Sequence, residues 1–496
     1  MKTILYFTFI LISTMSFTNQ RGIILYTDAT TTNLPIQAVT GPTMDAAAGD
    51  LDNDGDPDIV LAREFAPNKI LINNGNGQFT DGTLGNLPQF NYDSEDIGIA
   101  DFNRDGFNDI VFASEDNAIH ELYFNNGNGS FSNLNNRLPG STANAVLAED
   151  INNDSLPDII LGNAGQDLIL INNGDSIFTN ETSLRLPAES NVNQDLKLAD
   201  IDGDGDKDLI AGNEDGNKIY INNGSGVFTD DTEQRLPPSL TEETRKVTLG
   251  DVDGDQDLDI FFANVAFISG RTRQDRLLLN NGSGFFTDIT STNLPVDNEQ
   301  TTEGIFIDID YDNDPDLITS NIFFNRPMKI FENNGSGIFT EVTDIVLPQN
   351  TVAEGIGVLG TDLNNDGLMD LYLQNRRTTQ QTTETDRLLI RNDTGAVQIF
   401  NVENEIPVRI KLHQNFPNPF NPETVIRYEL NESGYTEIKI YDIQGKIKGV
   451  LVNEKQGSGE YSVKFDGSGL AGGVYYYRLT VNGGEVVMTK KLVLLK

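Results

Sequence analysis

The chain has 496 residues, roughly three typical domains in length, so at least two domains or one large repeat array is expected. With 34 Lys and Arg against 75 Asp and Glu its formal charge is −41, which argues against nucleic acid as a partner because phosphate binding needs basic surface. Cysteine is absent and His120 and His413 are the only histidines, which excludes disulfides, thiolate metal sites, Cys nucleophiles and His-rich zinc sites, and nearly excludes a Ser–His–Asp triad.

At the N-terminus, Lys2 precedes an apolar stretch from Ile4 to Ile12, and polar Thr18, Asn19 and Gln20 follow. That run is short of the ~20 apolar residues that span a bilayer and suits a signal-peptide core, so residues 1–18 read as an export signal. No later segment is long and apolar enough to cross a membrane, so the mature chain is expected to carry no transmembrane segment.

Internal repetition dominates the acidic body of the chain. The pattern D-x-[DN]-x-D-x-x-x-D starts at Asp50, Asp101, Asp150, Asp200, Asp251, Asp308 and Asp362, at intervals of 49 to 57 residues. Each copy follows a short apolar stretch such as LKLAD or VTLGD and runs into a β-rich one such as DIVLA or DIILG. In the first six units an Asn-Asn-Gly turn comes 22 to 29 residues after the loop start, and its Asn-Gly pair supplies the positive φ of a tight hairpin. A further strand, FTDGT or FTDIT, leads in most units to a Leu-Pro loop. Four antiparallel strands per unit, seven times, predict an all-β fold: a seven-bladed β-propeller over residues 23–400. The outer-strand motif also stands ahead of the first acidic loop, as YTDATTTNLP from Tyr26 to Pro35, and is missing from the seventh unit, which reads RNDTGAVQIF. Tyr26–Thr30 is therefore expected to complete the last blade and latch the ring.

Carboxylates at loop positions 1, 3, 5 and 9, with a carbonyl at 7, can converge on one hard cation through oxygen alone. The candidate ligands of the first loop are Asp50, Asp52, Asp54, Asp56 and Asp58; of the second, Asp101, Asn103, Asp105, Phe107 and Asp109. Those of the third are Asp150, Asn152, Asp154, Leu156 and Asp158; of the fourth, Asp200, Asp202, Asp204, Asp206 and Asp208. The fifth offers Asp251, Asp253, Asp255, Asp257 and Asp259, and the sixth Asp308, Asp310, Asp312, Asp314 and Asp316. The seventh offers Asp362, Asn364, Asp366, Leu368 and Asp370. So many aspartates so closely packed repel one another without a cation, and up to seven Ca²⁺ are expected. An EF-hand is excluded, because position 12, its Glu site, is Leu61, Phe112, Leu161, Ala211, Phe262, Thr319 and Leu373 in turn. Position 6 is Gly55, Gly106, Gly205 or Gly367 in four loops but Ser155, Gln256 and Asn313 in the others, and loops three and five are expected to be the weakest sites. On these repeats the body resembles the FG-GAP/VCBS repeat family of calcium-bearing propellers.

The charge breaks near residue 400. Residues 401–496 hold 12 Lys and Arg against 11 Asp and Glu, whereas the first 400 residues carry the whole negative excess. Residues 401–411 read as a linker. Residues 412–496, with TVIRYEL, TEIKIYDI, GEYSVKFDG and GVYYYRLTV separated by turn residues, read as a small β-sandwich. NFPNPFNPET (Asn415–Thr424), IYDIQGK, AGGVYYYRL and the terminal KKLVLLK closely resemble the type A sorting domain of the type IX secretion system. That resemblance implies the type IX machinery as partner and a secreted or surface location in a Gram-negative, Bacteroidota-like bacterium.

No catalytic constellation is visible, so the expected role is a binding or adhesion module. The alternative is a polysaccharide-active enzyme, a lyase or glycosidase, using a carboxylate pair among Glu95, Glu242, Glu243, Glu303 and Glu354. The strand order puts acidic loops and Asn-Gly turns on one face, and second-to-third turns with Leu-Pro loops on the other. Arg271, Arg273, Arg276, Arg326, Arg376, Arg377 and Arg387 are expected to gather on that second face as a rim for an anionic glycan or protein segment.

Overall fold

The computed structural model describes residues 25–115, 118–174, 177–238, 242–296, 298–322, 328–348, 355–375, 385–392, 411–415, 417–430, 434–442, 446–457, 459–482 and 486–495. The predicted export signal (1–18), nearly all of the predicted linker (401–411), Glu354, Arg326, Arg376 and Arg377 lie outside the described residues. The chain divides into two units, one within Ile23–Gly395 and one within Ala396–Lys496.

The first unit is all-β and is built from repeated four-stranded antiparallel sheets of the kind that form propeller blades. The first sheet takes Thr43–Gly49, Asp58–Arg63, Lys69–Asn73 and Phe79–Asp81 in chain order. Five more follow the same order, with first strands Ser94–Ala100, Ala143–Glu149, Asn193–Ala199, Thr244–Gly250 and Thr301–Ile307. Second strands such as DIVLAR and DIILGN are buried at every position, as strands covered on both faces must be, and their apolar runs suit that. The fourth strands are three residues long and mostly exposed, which suits an outer edge. The seventh sheet has only Gly355–Thr361, Asp370–Asn375 and Arg387–Arg391 of its own, and Tyr26–Asp28 completes it, Tyr26 opposite Arg391 and Asp28 opposite Leu389. The expected latch is therefore present as a strand pair. First strands of successive sheets touch one another, and Thr43–Gly49 touches Gly355–Thr361. Apolar side chains fill the gaps between sheets: Val60 and Ile70 of the first sheet pack with Ile97, Ile110 and Tyr123 of the second.

Every first strand begins with a bulge, between its first and third residues, as at Thr43/Asp45 and Ser94/Asp96. The third residue then reaches the neighbouring sheet. Asp96 accepts the Val146 N–H (2.7 Å), Asp195 that of Val247 (2.8 Å) and Glu303 that of Val358 (3.0 Å). Lys246 lies 3.4 Å from Asp96 and 3.7 Å from Asp195, so residues from different sheets share one buried charged cluster. Burial pushes the Asp45 carboxyl in this cluster well above the usual range, with Lys246 opposing.

The second unit has two antiparallel sheets. One orders Lys411–Leu412, Glu423–Leu430 and Gly459–Asp466; the other orders Ile447–Gln456, Gly434–Asp442, Gly473–Val481 and Val486–Leu494. They share a core of Phe420, Ile426, Tyr428, Ile438, Ile440, Tyr477, Leu479 and Leu492. Among the described residues no helix is long and apolar enough to cross a membrane, which says nothing of β-barrels.

Candidate calcium loops and the opposite face

All seven acidic loops take one backbone shape. Position 6 has positive φ throughout, from +69° at Ser155 to +94° at Gly205, and Gln256 adopts +79°. Ser155, Gln256 and Asn313 take the same turn as the glycines, at φ +69°, +79° and +72°, a conformation that favours glycine. Position 4 is left-handed too, at Asn53, Arg104, Asn153, Gly203, Gly254, Tyr311 and Asn365, a requirement that sequence reading missed because the residue type varies.

Carboxylates hold that shape. The position-1 side chain accepts the position-6 N–H in every loop, for instance Asp50 from Gly55 (3.0 Å), Asp251 from Gln256 (3.0 Å) and Asp362 from Gly367 (2.8 Å). The position-5 side chain accepts the position-7 N–H, as Asp54 does from Asp56 (3.0 Å) and Asp204 from Asp206 (2.9 Å). Position 9 also braces the fold. Asp58 accepts the N–H groups of Leu51 (2.9 Å) and Asn73 (2.8 Å), and Asp109, Asp158, Asp208, Asp259, Asp316 and Asp370 repeat that bracket between the loop and the third strand. Burial raises these carboxyls, to about 7 at Asp58, Asp109, Asp158, Asp208, Asp259 and Asp370 and to about 8 at Asp316.

Position 3 separates the loops. Carboxylate oxygens approach within 4.8 Å of one another in Asp50/Asp52/Asp58, Asp200/Asp202/Asp208, Asp251/Asp253/Asp255 and Asp308/Asp310/Asp316. One oxygen each of Asp52, Asp202 and Asp253 is buried without a hydrogen-bond partner among the described residues. A calcium ion fits that donor set: hard oxygens, clustered, charged and short of partners. In loops two and seven position 3 is Asn, and Asn103 and Asn364 donate to the position-5 carboxylates of Asp105 (3.0 Å) and Asp366 (3.1 Å). Their oxygens accept the Asp105 and Asp366 N–H groups, so these loops satisfy themselves. Asn152 accepts the Asp154 N–H in the same way in loop three (3.0 Å).

Position 7 covers the Asn-Asn-Gly turn. A Cβ on Gly75, Gly282 or Gly335 would meet Asp56, Asp257 or Asp314 within 2.5 Å, and one on Gly127 would meet the Phe107 ring, so these glycines are needed for space as well as for φ. The first Asn of the turn does more than start a hairpin. Asn125 donates to Asn108 O (3.1 Å) in its own sheet and to Leu51 O (2.7 Å) in the preceding one. Asn73, Asn172, Asn280 and Asn333 make the same bridge, Asn73 reaching Leu363 of the seventh sheet.

The opposite face carries the second-to-third turns and the Leu-Pro connections, in contact where Gln274 donates to Pro295 O (3.4 Å) and Gln166 to Pro187 O (3.3 Å). Arg271 and Arg273 are there, lining an open cavity of about 530 Å³. Arg276 is a correction: it lies in the strand Arg276–Asn280, 6% exposed, 2.9 Å from Glu242 and 2.8 Å from Asp288, so it braces the sheet and forms no part of a rim. Arg387 pairs with Asp28 of the latch strand (3.0 Å). The candidate carboxylates scatter. Glu242 is held by Arg276, Glu243 by Arg245 (3.0 Å) and Glu303 by the central cluster, while Glu95 joins Asp93 and Glu115 within 4.8 Å.

In the second unit the NFPNPFNPET segment closes the fold. Asn415 donates to Thr424 Oγ1 (3.0 Å), Phe420 N–H bonds Val493 O (2.9 Å), and Asn418 Oδ1 accepts the Val493 N–H (2.7 Å), tying the segment to the C-terminal strand.

Comparison with known proteins agrees with both halves. The FG-GAP-like repeat model matches four overlapping windows, 50–112, 101–161, 150–211 and 200–262. The model of the secretion system C-terminal sorting domain matches residues 414–495. No curated protein matches the chain. Among solved structures, an Agrocybe aegerita lectin specific for non-reducing terminal N-acetylglucosamine aligns at 20% identity and TM-score 0.37, over 63% of this chain and 82% of the lectin. PorZ, a surface component of the type IX secretion system of Porphyromonas gingivalis, aligns at 13% identity and TM-score 0.42, over 88% of this chain and 58% of PorZ. The extracellular domain of a putative hybrid two-component system from B. thetaiotaomicron aligns at 10% identity and TM-score 0.41, over 95% of this chain and 59% of that domain. Residues 50–262 thus carry FG-GAP-like repeats and residues 414–495 a C-terminal sorting domain, which marks the chain for delivery by the type IX system of a Bacteroidota-like bacterium to the cell surface or the extracellular space.

Proposed function

We propose that this is a calcium-stabilised binding protein of the cell surface or medium, without catalytic activity. Its seven sheets close as a seven-bladed propeller over residues 23–400. A linker at 401–411 joins that body to a β-sandwich sorting domain at 412–496, and residues 1–18 direct the first export step. The observation that carries the reading is the loop chemistry: one shape seven times, with partnerless buried oxygens on Asp52, Asp202 and Asp253. Calcium supplies those oxygens with a hard cation and fixes the loops on one face, leaving the other face to meet a ligand. Loops one, four, five and six, with Asp at position 3, are the stronger sites; loops two, three and seven are weaker.

The glycan-cleaving alternative finds little support among the candidate glutamates, since Glu242, Glu243 and Glu303 are committed to ion pairs or backbone bonds. The test is a screen of the purified chain, with and without chelator, against a glycan library for binding and for release of reducing ends. Calcium-dependent binding without cleavage is the expected result; turnover of any glycan overturns the non-catalytic assignment.

A further inference from the structure

The connection between the second and third strands of the fifth sheet runs from Val265 to Asp275, whereas the corresponding connections of the third and fourth sheets span only Ala164–Asp167 and Glu214–Asn217. Its extra length is held in place along its course. Val265 N–H bonds Glu243 O (2.9 Å), Ala266 N–H bonds Gln300 Oε1 (2.7 Å), and Ile268 N–H bonds the buried Glu243 carboxylate (2.8 Å). At the far end Asn264 accepts the loop back, its side chain donating to Gln274 O (3.0 Å) and its N–H to Asp275 (2.8 Å). Arg273 donates to Asn298 O (3.3 Å), tying the loop to the Leu-Pro connection that forms the facing wall. Gly270, at φ +90°, turns the tip.

Between these walls lies the cavity of about 530 Å³, within the roughly 300–1,000 Å³ of small-ligand sites. Arg271 and Arg273 line it together with Ser269, Thr272, Gln274 and Asn298. Apolar surface adjoins them: Ile268 is 40% exposed and Val296 88% exposed. A paired arginine site on a chain of net charge −41 selects for anions that the rest of the surface repels. The walls are loops and offer no free strand edge on which an extended peptide could pair its backbone. Hydroxyl-matching side chains beside an exposed apolar rim suit a sugar ring.

We propose that this cavity binds an anionic oligosaccharide, whose carboxylate or sulfate is gripped by Arg271 and Arg273 while its hydroxyls meet Ser269, Thr272, Gln274 and Asn298. The proposal rests on the surface-binding reading above and adds the site and the ligand class to it.

The test uses the full chain in calcium, titrated with oligogalacturonate, chondroitin sulfate oligosaccharide, neutral dextran oligosaccharide and poly-glutamate. Acidic saccharide should bind and dextran should not. Arg271→Ala with Arg273→Ala should weaken that binding more than tenfold. Val296→Asp, at a position exposed enough to leave folding untouched, should weaken it through charge repulsion. Both variants should keep the calcium-dependent melting shift, so that a failure here is separable from failure of the calcium reading. Absence of binding to both acidic saccharides at millimolar concentration, undiminished binding by both variants, or preference for poly-glutamate overturns the proposal.

Discussion

Replacing Asp52 and Asp253 together by Asn should stabilise the calcium-free protein and blunt its response to calcium. Each aspartate buries one oxygen without a partner, whereas Asn103 and Asn364 at the same position satisfy both themselves and the position-5 carboxylate. A buried unsatisfied polar group costs about 1–3 kcal/mol, so the double variant should gain about 2–6 kcal/mol without metal. At about 2.1 cal/mol/K of unfolding entropy per residue over the unit Ile23–Gly395, that is a rise of about 3–8 °C in EDTA. In calcium that gain is partly offset. A site with free ion at about 20 times Kd contributes about 1.8 kcal/mol, and a tenfold loss of affinity cuts this to about 0.7 kcal/mol, so two sites shrink the calcium-induced shift by about 3 °C. Differential scanning calorimetry in EDTA and in millimolar calcium reads both quantities. A variant that melts lower than the parent in EDTA and keeps its full calcium shift refutes the reasoning.

Asn125→Ala should cost about 1–3 kcal/mol, because it leaves Leu51 O and Asn108 O without their donor at a buried contact between sheets, while Asn126→Ala, on the exposed side of the same turn, should stay within about 0.5 kcal/mol; urea unfolding compares them. His120 should make stability fall on acidification. Its Nδ1 accepts the Ser114 N–H (3.1 Å), and burial lowers its pKa from 6.5 to about 4, so the neutral form is favoured in the fold. The stabilisation is complete above pH 6.5 and fades as pH drops towards 4, by about 3 kcal/mol in all. His120→Gln should lose that part of the slope in melting curves taken across the window, and an unchanged slope counts against the assignment. Deleting residues 412–496 should retain the body inside the cell with its melting unchanged, and grafting them onto an unrelated periplasmic protein should carry it to the surface; cell fractionation and blotting decide both.

The repeat and its strand order were legible because aspartates, Asn-Asn-Gly and FTD recur at fixed offsets, and the latch followed from counting where FTD was missing. The second job of position 9 was not legible. Asp58 looks like one more ligand in the row, and only the fold reveals that it bridges the N–H groups of Leu51 and Asn73. The first Asn of the turn was read as hairpin chemistry for the same reason: its bond to the preceding sheet spans a whole repeat, as from Asn125 back to Leu51. Arg276 misled because charge alone marks a side chain as exposed. Two residues decide its fate, Glu242 before the first strand and Asp288 in the fourth, and neither is close to it in sequence. The one-turn helices after the fourth strands, such as Thr182–Arg185 and Thr232–Arg235, were also missed. Each is too short for a periodic signal, and each is set up by an Asx turn, Asn180 or Asp230 accepting the N–H two residues on.

The most direct test of calcium as the partner of these loops is a crystal structure of the full chain at saturating calcium, with anomalous scattering used to place the ions. Ions should sit in loops one, four, five and six, about 2.3–2.6 Å from oxygens of positions 1, 3 and 5, with Asp52, Asp202 and Asp253 among the ligands. Four such loops without an anomalous peak, in a chain otherwise well ordered, would contradict the account.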